Sequence, residues 1–351
     1  MNKIFIVIEN AYSYAGTEKV CDFMCDSLGD TNEVVILSLK GSGKTFYPYK
    51  KAKEIISLEG IRHPLITSAN IILAEKKQST VFVVSMGKLS VFFSILYNLL
   101  SLCNFSSRRK GKKIIACEHV SLDSFPKYVK FLKYISLRAF SNVVVLTKKD
   151  KLKLNSWGIR STIIPNALEF HSYERNTCNK IALSIGRLET QKGFDILLRV
   201  WADFVKKEPD WKLVIAGDGS LKEELKFLAK ELCIDSSVTF LGLIDNVEYY
   251  YKNSDIYLMT SRYEGLPLVL LEAKSWGLPS IAFDCPTGPA EIISDSIDGF
   301  LIPAFNNYVY LEKLSLLAND DSLRQTFSKN TEKTSRKFDS STIKEQWKSL
   351  V

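Results

Sequence analysis

Residues 261–273 read Ser-Arg-Tyr-Glu-Gly-Leu-Pro-Leu-Val-Leu-Leu-Glu-Ala, and they set two carboxylates, Glu264 and Glu272, eight positions apart. Gly265, Leu266, Pro267 and Leu268 follow the first carboxylate directly. The run before it, Asp255 to Met259, has strand composition, and Leu268 to Trp276 is apolar and helix-compatible. Pro267 suits the first helical position, where its missing N–H is not needed. The segment therefore predicts a strand, a tight turn and a helix N-terminus. Such a terminus gathers unpaired N–H groups and a partial positive charge, which favours phosphate. Glu264 would stand just outside that pole, with Glu272 roughly 8 Å along the helix. Two hydroxyl acceptors flanking an anion site suit a molecule built as sugar, diphosphate and ribose. The plainer alternative is a pair of solvated glutamates on a surface helix.

Gly186-Arg-Leu-Glu-Thr-Gln-Lys-Gly193 follows the apolar run Ile181–Ile185 and puts Arg187 and Lys192 on one glycine-bounded loop. Two cations match the charge of a diphosphate, and an arginine can hold phosphate oxygens in bidentate fashion. Taken alone, such a loop more often carries two solvated surface cations. Leu213 to Ser220 is another strand ending in a glycine turn, at Gly217, and could wall a nucleotide base. Gly16, after the first strand, could approach phosphate, although the other glycines of a dinucleotide fingerprint are missing. Gly41-Ser-Gly-Lys-Thr45 imitates a P-loop, but Ser38 occupies the position of its first glycine and Phe46-Tyr-Pro-Tyr49 replaces the required helix.

His119 follows the strand candidate that ends at Ala116 and would lie at the carboxyl edge of a sheet, although a lone histidine is more often structural. The chain has no Asp-x-Asp pair and no His/Cys/Glu cluster at metal spacing, so no obligatory metal or other cofactor is expected.

These residues need a scaffold that brings distant loops together. Strand-like runs alternate with helix-compatible segments throughout, which predicts an α/β protein of two doubly wound parallel sheets. Candidates in the first half are 4–8, 34–39, 81–84, 113–116, 143–146 and 162–164. In the second half they are 181–185, 212–216, 238–240, 256–259, 280–283 and 299–302. Residues 1–167 and 168–335 form the expected domains, linked by the polar stretch Glu169–Lys180, and a C-terminal helix at about 336–351 packs back on the first. A ligand would bind between such domains at the carboxyl ends of the strands.

The 351 residues are 46% hydrophobic and 25% charged, ordinary for a soluble protein. Seven scattered cysteines without a Cys-x-x-Cys pair suit reduced thiols in a cytosol. No signal peptide is read at the N-terminus. The apolar stretch Leu89 to Phe105 is short for a membrane span and is expected as a buried helix. Residues 1–165 hold 25 Lys+Arg against 12 Asp+Glu, a net +13, and the remainder carries −5. Within that basic half stand Arg108–Lys113 and the mixed cationic and aromatic run Lys127–Tyr134, whose Lys127, Lys130 and Lys133 fit a helix on an anionic membrane surface. Charge alone does not separate a membrane from a solvated face or a nucleic acid.

Taken together the pieces resemble the retaining GT-B glycosyltransferases of glycosyltransferase family 4. The resemblance rests on the loop at Gly16, His119, Ile164-Pro-Asn166, Gly186 to Gly193, Gly217-Asp-Gly219 and the Glu264/Glu272 pair. It continues through Thr287-Gly-Pro-Ala-Glu-Ile-Ile293 and Asp298-Gly-Phe-Leu301. Ala15 departs from it, standing where many relatives have a second glycine. Phe283 to Pro289 is similar to bacterial enzymes that extend lipid-linked oligosaccharides for N-glycans, capsules and O-antigens.

The resemblance implies two Rossmann-like domains facing a cleft, an acceptor-side first domain and a donor-binding second domain. Arg187 and Lys192 would neutralise the departing diphosphate with help from Gly186, Gly217 and backbone N–H groups near Leu266 to Leu268. Glu272 would bind the ribose, Glu264 the sugar, and His119 would contact the transferred sugar from the facing domain. It further implies a nucleotide-sugar donor (by family frequency a UDP-sugar), a lipid-linked or oligosaccharide acceptor and retention without a metal. The enzyme would work in the cytoplasm, peripheral on the inner face of the membrane, with no nucleic-acid partner. Competing readings are a nucleotide-sugar epimerase or hydrolase on the same fold, and a non-catalytic nucleotide-sugar-binding protein.

Overall fold

The computed structural model describes residues 2–103, 112–171 and 178–351. Thirteen strands form among them, all paired in parallel, because the apolar runs are continuous and can be buried on both faces. The first sheet contains β1 (Lys3–Asn10), β2 (Glu33–Lys40), β3 (Glu54–Ser57), β4 (Ser79–Ser85), β5 (Lys112–Glu118), β6 (Asn142–Val145) and β7 (Ser161–Ile163). Their spatial order is β3-β2-β1-β4-β5-β6-β7. The second contains β8 (Ile181–Ile185), β9 (Lys212–Ala216), β10 (Val238–Gly242), β11 (Ile256–Met259), β12 (Ser280–Asp284) and β13 (Gly299–Pro303), in the order β10-β9-β8-β11-β12-β13.

The chain divides into two units, residues 1–167 with 340–351, and residues 168–339. Each sheet is packed into its own hydrophobic core. Val7, Val83 and Phe93 lie in the first, and Trp201, Leu213 and Leu258 in the second. A fully buried aliphatic or aromatic side chain of this size contributes about 1.5–3 kcal/mol. The C-terminal helix Ser340–Lys348 belongs to the first unit: Trp347 meets Phe82 edge-on at 5.7 Å, and Lys344 pairs with Asp26. The preceding turn stays with the second unit, where the Leu168 amide donates to the Phe338 carbonyl at 2.7 Å.

Four expectations need correction or completion. β3 is an additional strand, short and half-exposed at the sheet edge, so its apolar signal is weak. Helix Leu89–Cys103 is not buried all round, since Phe92, Ile95 and Leu99 are 54%, 48% and 56% exposed. Lys133 does not belong to a solvent-facing cationic stripe: it is wholly buried, 2.5 Å from Glu118 Oε2. Of the expected linker, residues 172–177 lie outside the described residues, as do 108–111 of the basic run. No helix of the described residues is long and apolar enough to cross a membrane.

Candidate active site

In the second sheet β8 and β11 are neighbours although far apart in sequence, with Ala182 opposite Ile256 and Leu183 opposite Tyr257. The sheet order reverses between these two strands, and the loops at their carboxyl ends meet at that switch point, where open α/β sheets bind ligands. The first loop carries Gly186, Arg187 and Lys192 and leads into helix Phe194–Val205. The second carries Glu264, Gly265, Leu266 and Pro267 and leads into helix Leu268–Ser275.

Hydrogen bonds tie the two loops together. The Arg262 amide donates to the Gln191 carbonyl at 2.8 Å, and Gln191 Nε2 donates to the Tyr263 carbonyl at 3.0 Å. The Arg262 guanidinium grips Asp195 through both nitrogens, at 2.8 and 2.7 Å, and holds that carboxyl below its usual range. Gly193 adopts φ +67, and a Cβ there would stand 2.1 Å from the Thr260 carbonyl oxygen. Only a residue without a side chain allows the loops to approach so closely.

Lys192 and Glu264 end up in direct contact. Lys192 Nζ donates to Glu264 Oε1 at 2.7 Å, with side chains 16% and 6% exposed. The Glu264 carbonyl accepts from Thr287 Oγ1 at 2.6 Å, which anchors the loop to the segment after β12. Burial, with nearby Glu264, pushes the Cys285 thiol in that segment up to about 12. Arg187 is exposed, its Nη2 3.4 Å from Gln191 Oε1.

Gly217 packs against the first of these loops. Its φ is +135, and a Cβ would lie 1.9 Å from the Gly186 carbonyl oxygen, so the two glycine loops are stacked backbone to backbone. Gly265 and Pro267 are covered in the same way by Gly288, whose Cβ would come within 2.7 Å of both.

Helix Leu268–Ser275 starts one residue later than the first-position reading of Pro267 implies. Pro267 is the cap, with extended backbone at φ −69 and ψ 112, and no side chain caps the helix. Leu266 is buried, and Leu268 opens the first turn. No acidic residue occupies that turn, so its positive pole is not neutralised from within. Glu272, one turn on, accepts from the Tyr251 hydroxyl at 2.9 Å through Oε2. Beneath the helix, Lys274 and Asp298 form an ion pair of 2.5 Å with both side chains 0% exposed.

His119 and Gly16 belong to the first unit. Gly16 is the exposed first residue of helix Gly16–Leu28, after β1. His119 follows β5, and its amide donates to the Ser85 carbonyl at 3.1 Å. The ring is 7% exposed, and its Nε2 has no hydrogen-bond partner among the described residues. Burial lowers its pKa to about 4, so the imidazole is neutral at pH 7. Among the described residues no three His, Cys, Asp or Glu side chains are grouped to hold a metal ion.

Sequence reading missed Asp195 and Tyr251, and gave no role to Arg262 and Thr287, which stand in the motifs quoted above. The Arg262–Asp195 pair spans 67 positions and leaves no local pattern. Tyr251 stands in the run Tyr249-Tyr-Tyr251, where burial of a single phase of the helix would have singled it out.

Residues 167–334 match the sequence profile of a family described as glycosyl transferases group 1. The amylovoran biosynthesis glycosyltransferase AmsD of Erwinia amylovora is 32% identical over the full length of both chains. A Campylobacter jejuni protein is 28% identical over 100% of this chain and 98% of its own. Its name is GalNAc-α-(1→4)-GalNAc-α-(1→3)-diNAcBac-PP-undecaprenol α-1,4-N-acetyl-D-galactosaminyltransferase. HepE of Anabaena, solved in complex with UDP and glucose, superimposes with a TM-score of 0.82 at 17% identity, covering 99% of each chain. That likeness carries the fold, two Rossmann-like units of the GT-B type. Sequence identity along the whole length of AmsD, with the profile match across the second unit, makes this chain a member of the group 1 glycosyl transferases.

Proposed function

We propose that the chain transfers a sugar, with retention at the anomeric carbon, from a UDP-sugar to a polyprenyl-diphosphate-linked saccharide in bacterial polysaccharide or glycan assembly. The observation that carries this reading is the Lys192–Glu264 pair beside the uncapped pole of helix Leu268–Ser275. A lysine ammonium has three donors. One engages Glu264, and the others are available to phosphate oxygens, so the cation spans the boundary between diphosphate and sugar. Glu264 accepts sugar hydroxyls, Arg187 adds a second counter-charge, and Glu272 takes the ribose hydroxyls.

In the transfer, the bond from C1 to the phosphate oxygen breaks and a bond from the acceptor oxygen to C1 forms on the same face. The acceptor proton passes to the departing phosphate oxygen, so no separate base is required. Arg187, Lys192 and the helix pole stabilise the negative charge that develops on the diphosphate, which makes a metal dispensable. Neutral His119 contacts the transferred sugar as donor or acceptor. The names of AmsD and of the Campylobacter enzyme support an acceptor in polysaccharide or lipid-linked glycan assembly, and the UDP held by HepE supports the choice of nucleotide.

A peripheral position on the inner face of the cell membrane is supported by exposed side chains on helices Leu89–Cys103 and Lys127–Ser136. Phe92, Ile95, Leu99, Tyr128, Phe131 and Ile135 are each 48–62% exposed. Lys88 stands 5.1 Å over the Tyr128 ring, and the first half of the chain is strongly basic. Apolar side chains rimmed by lysines suit an anionic leaflet.

The donor assignment is tested by thermal unfolding against a panel of UDP-, GDP- and ADP-sugars. A ligand at 100 times its dissociation constant adds about 2.7 kcal/mol. A raised Tm with UDP-sugars is expected, and no shift with any of the panel would overturn the donor site.

A further inference from the structure

The Tyr251 hydroxyl touches the one carboxylate in this site that is assigned to the ribose. Tyr251 lies on helix Val247–Asn253, which Asn246 caps by accepting from the Tyr249 amide at 3.2 Å. The tyrosine ring is 1% exposed and packs on Tyr257 with centroids 6.3 Å apart. Its hydroxyl reaches across to helix Leu268–Ser275, where Glu272 Oε2 lies at 2.9 Å and the Val269 carbonyl oxygen at 3.2 Å. A phenol has one proton to donate, and the ionised acceptor makes the stronger bond. Lys252, the next residue, stands 4.7 Å over the Trp276 ring, a second contact between the same two segments.

Satisfying a buried tyrosine hydroxyl does not by itself require a glutamate, since the Val269 carbonyl is within reach. Glu272 is half-buried, and a glutamate left to rotate samples many rotamers. A donor fixed on Oε2 removes that freedom. It uses one of about four lone-pair directions of the carboxylate. We infer that Tyr251 is a positioning residue for ribose recognition: by holding Glu272 through Oε2 it presets the carboxylate for the two ribose hydroxyls of the donor. This rests on the donor reading above, in which Glu272 binds ribose. Tyr251 itself touches no part of the nucleotide.

The test compares UDP with 2′,3′-dideoxy-UDP, measured by calorimetry on the full chain and on Tyr251→Phe, which keeps the ring and removes only the hydroxyl. Wild type should bind UDP at least about tenfold more tightly than the dideoxy compound. Tyr251→Phe should weaken UDP roughly tenfold and leave the dideoxy compound unchanged, so that the gap closes. Glu272→Gln should close the same gap with Tyr251 intact, and adding Tyr251→Phe to it should change nothing more. If Tyr251→Phe weakens both compounds equally, or keeps the gap, the hydroxyl serves only the fold and the inference is overturned. If wild type binds UDP without any gap, the ribose role of Glu272 fails and the inference falls with it. If wild type binds neither UDP, GDP nor ADP, the donor reading itself has failed, and Tyr251 positions no ribose-binding carboxylate.

Discussion

Lys192 Nζ lies 2.7 Å from Glu264 Oε1, joining the loop after β8 to the loop after β11 by a nearly buried ion pair. Residues assigned separately to the phosphate and to the sugar are therefore one unit. Truncating either leaves the other largely desolvated and unpaired, which costs more than the bond itself. We expect Lys192→Ala to lower kcat by roughly 100-fold or more, as loss of a preorganised charge does. Glu264→Gln should be comparably impaired. The double variant should lose far less than the product of the two, because the residues act together. Steady-state kinetics on the three variants decide this, and independent, multiplicative losses would refute the coupling.

The stacking of Gly217 on the Gly186 carbonyl makes a steric prediction. Gly217→Ala forces a Cβ to 1.9 Å from that oxygen at φ +135, so it should destabilise by at least about 1–3 kcal/mol. Gly87→Ala is the control: a Cβ there meets nothing within 4 Å, and its effect should stay within about 0.5 kcal/mol. Urea unfolding of both variants reads the difference.

His119 gives the stability a defined pH dependence. Its folded pKa of about 4 lies below the ordinary 6.5, so between those values the unfolded chain binds a proton that the folded chain refuses. Stability is fully present above pH 6.5 and is lost as the pH falls towards 4, by about 3 kcal/mol in the limit. His119→Gln should lack this component. Unfolding free energies from pH 7 to 4 should therefore converge between wild type and variant; parallel curves would show that the ring is not held neutral.

Lys127, Lys130 and Lys133 share a helix but not a role. Removing Lys133 strands Glu118 in the core, since the pair is 0% and 1% exposed, and should cost about 3–5 kcal/mol. Phe131→Ser with Ile135→Ser should instead leave stability nearly unchanged and weaken binding to anionic vesicles. Lys127→Glu with Lys130→Glu should weaken it most at low salt. Vesicle co-sedimentation unaffected by all four surface changes would remove the membrane from the proposal.

The strands were legible because both faces of each sheet are covered, so their sequences are continuous apolar runs. β3 escaped because Glu54 and Ser57 close a four-residue, half-exposed edge strand. The glycine loops and the Glu264/Glu272 spacing were equally visible, since local turn chemistry writes them into the chain. The long-range contacts that organise the site and the core of the first unit were not. Arg262–Asp195, Tyr251–Glu272 and Lys133–Glu118 are 67, 21 and 15 positions apart, and only the sheet order brings them together. The Lys133 misreading had a local remedy: at 100° per residue it falls on the same side of its helix as Val129 and Ser136, which are both buried.

The most direct measurement is UDP release from a UDP-sugar with and without a polyprenyl-diphosphate-linked saccharide, in the presence of EDTA. We expect release only when the acceptor is supplied, unaffected by EDTA, and roughly 100-fold slower or worse with Lys192→Ala. Equal release without acceptor, a strict need for a divalent ion, or an undiminished rate in Lys192→Ala would contradict metal-free sugar transfer at the Lys192–Glu264 pair.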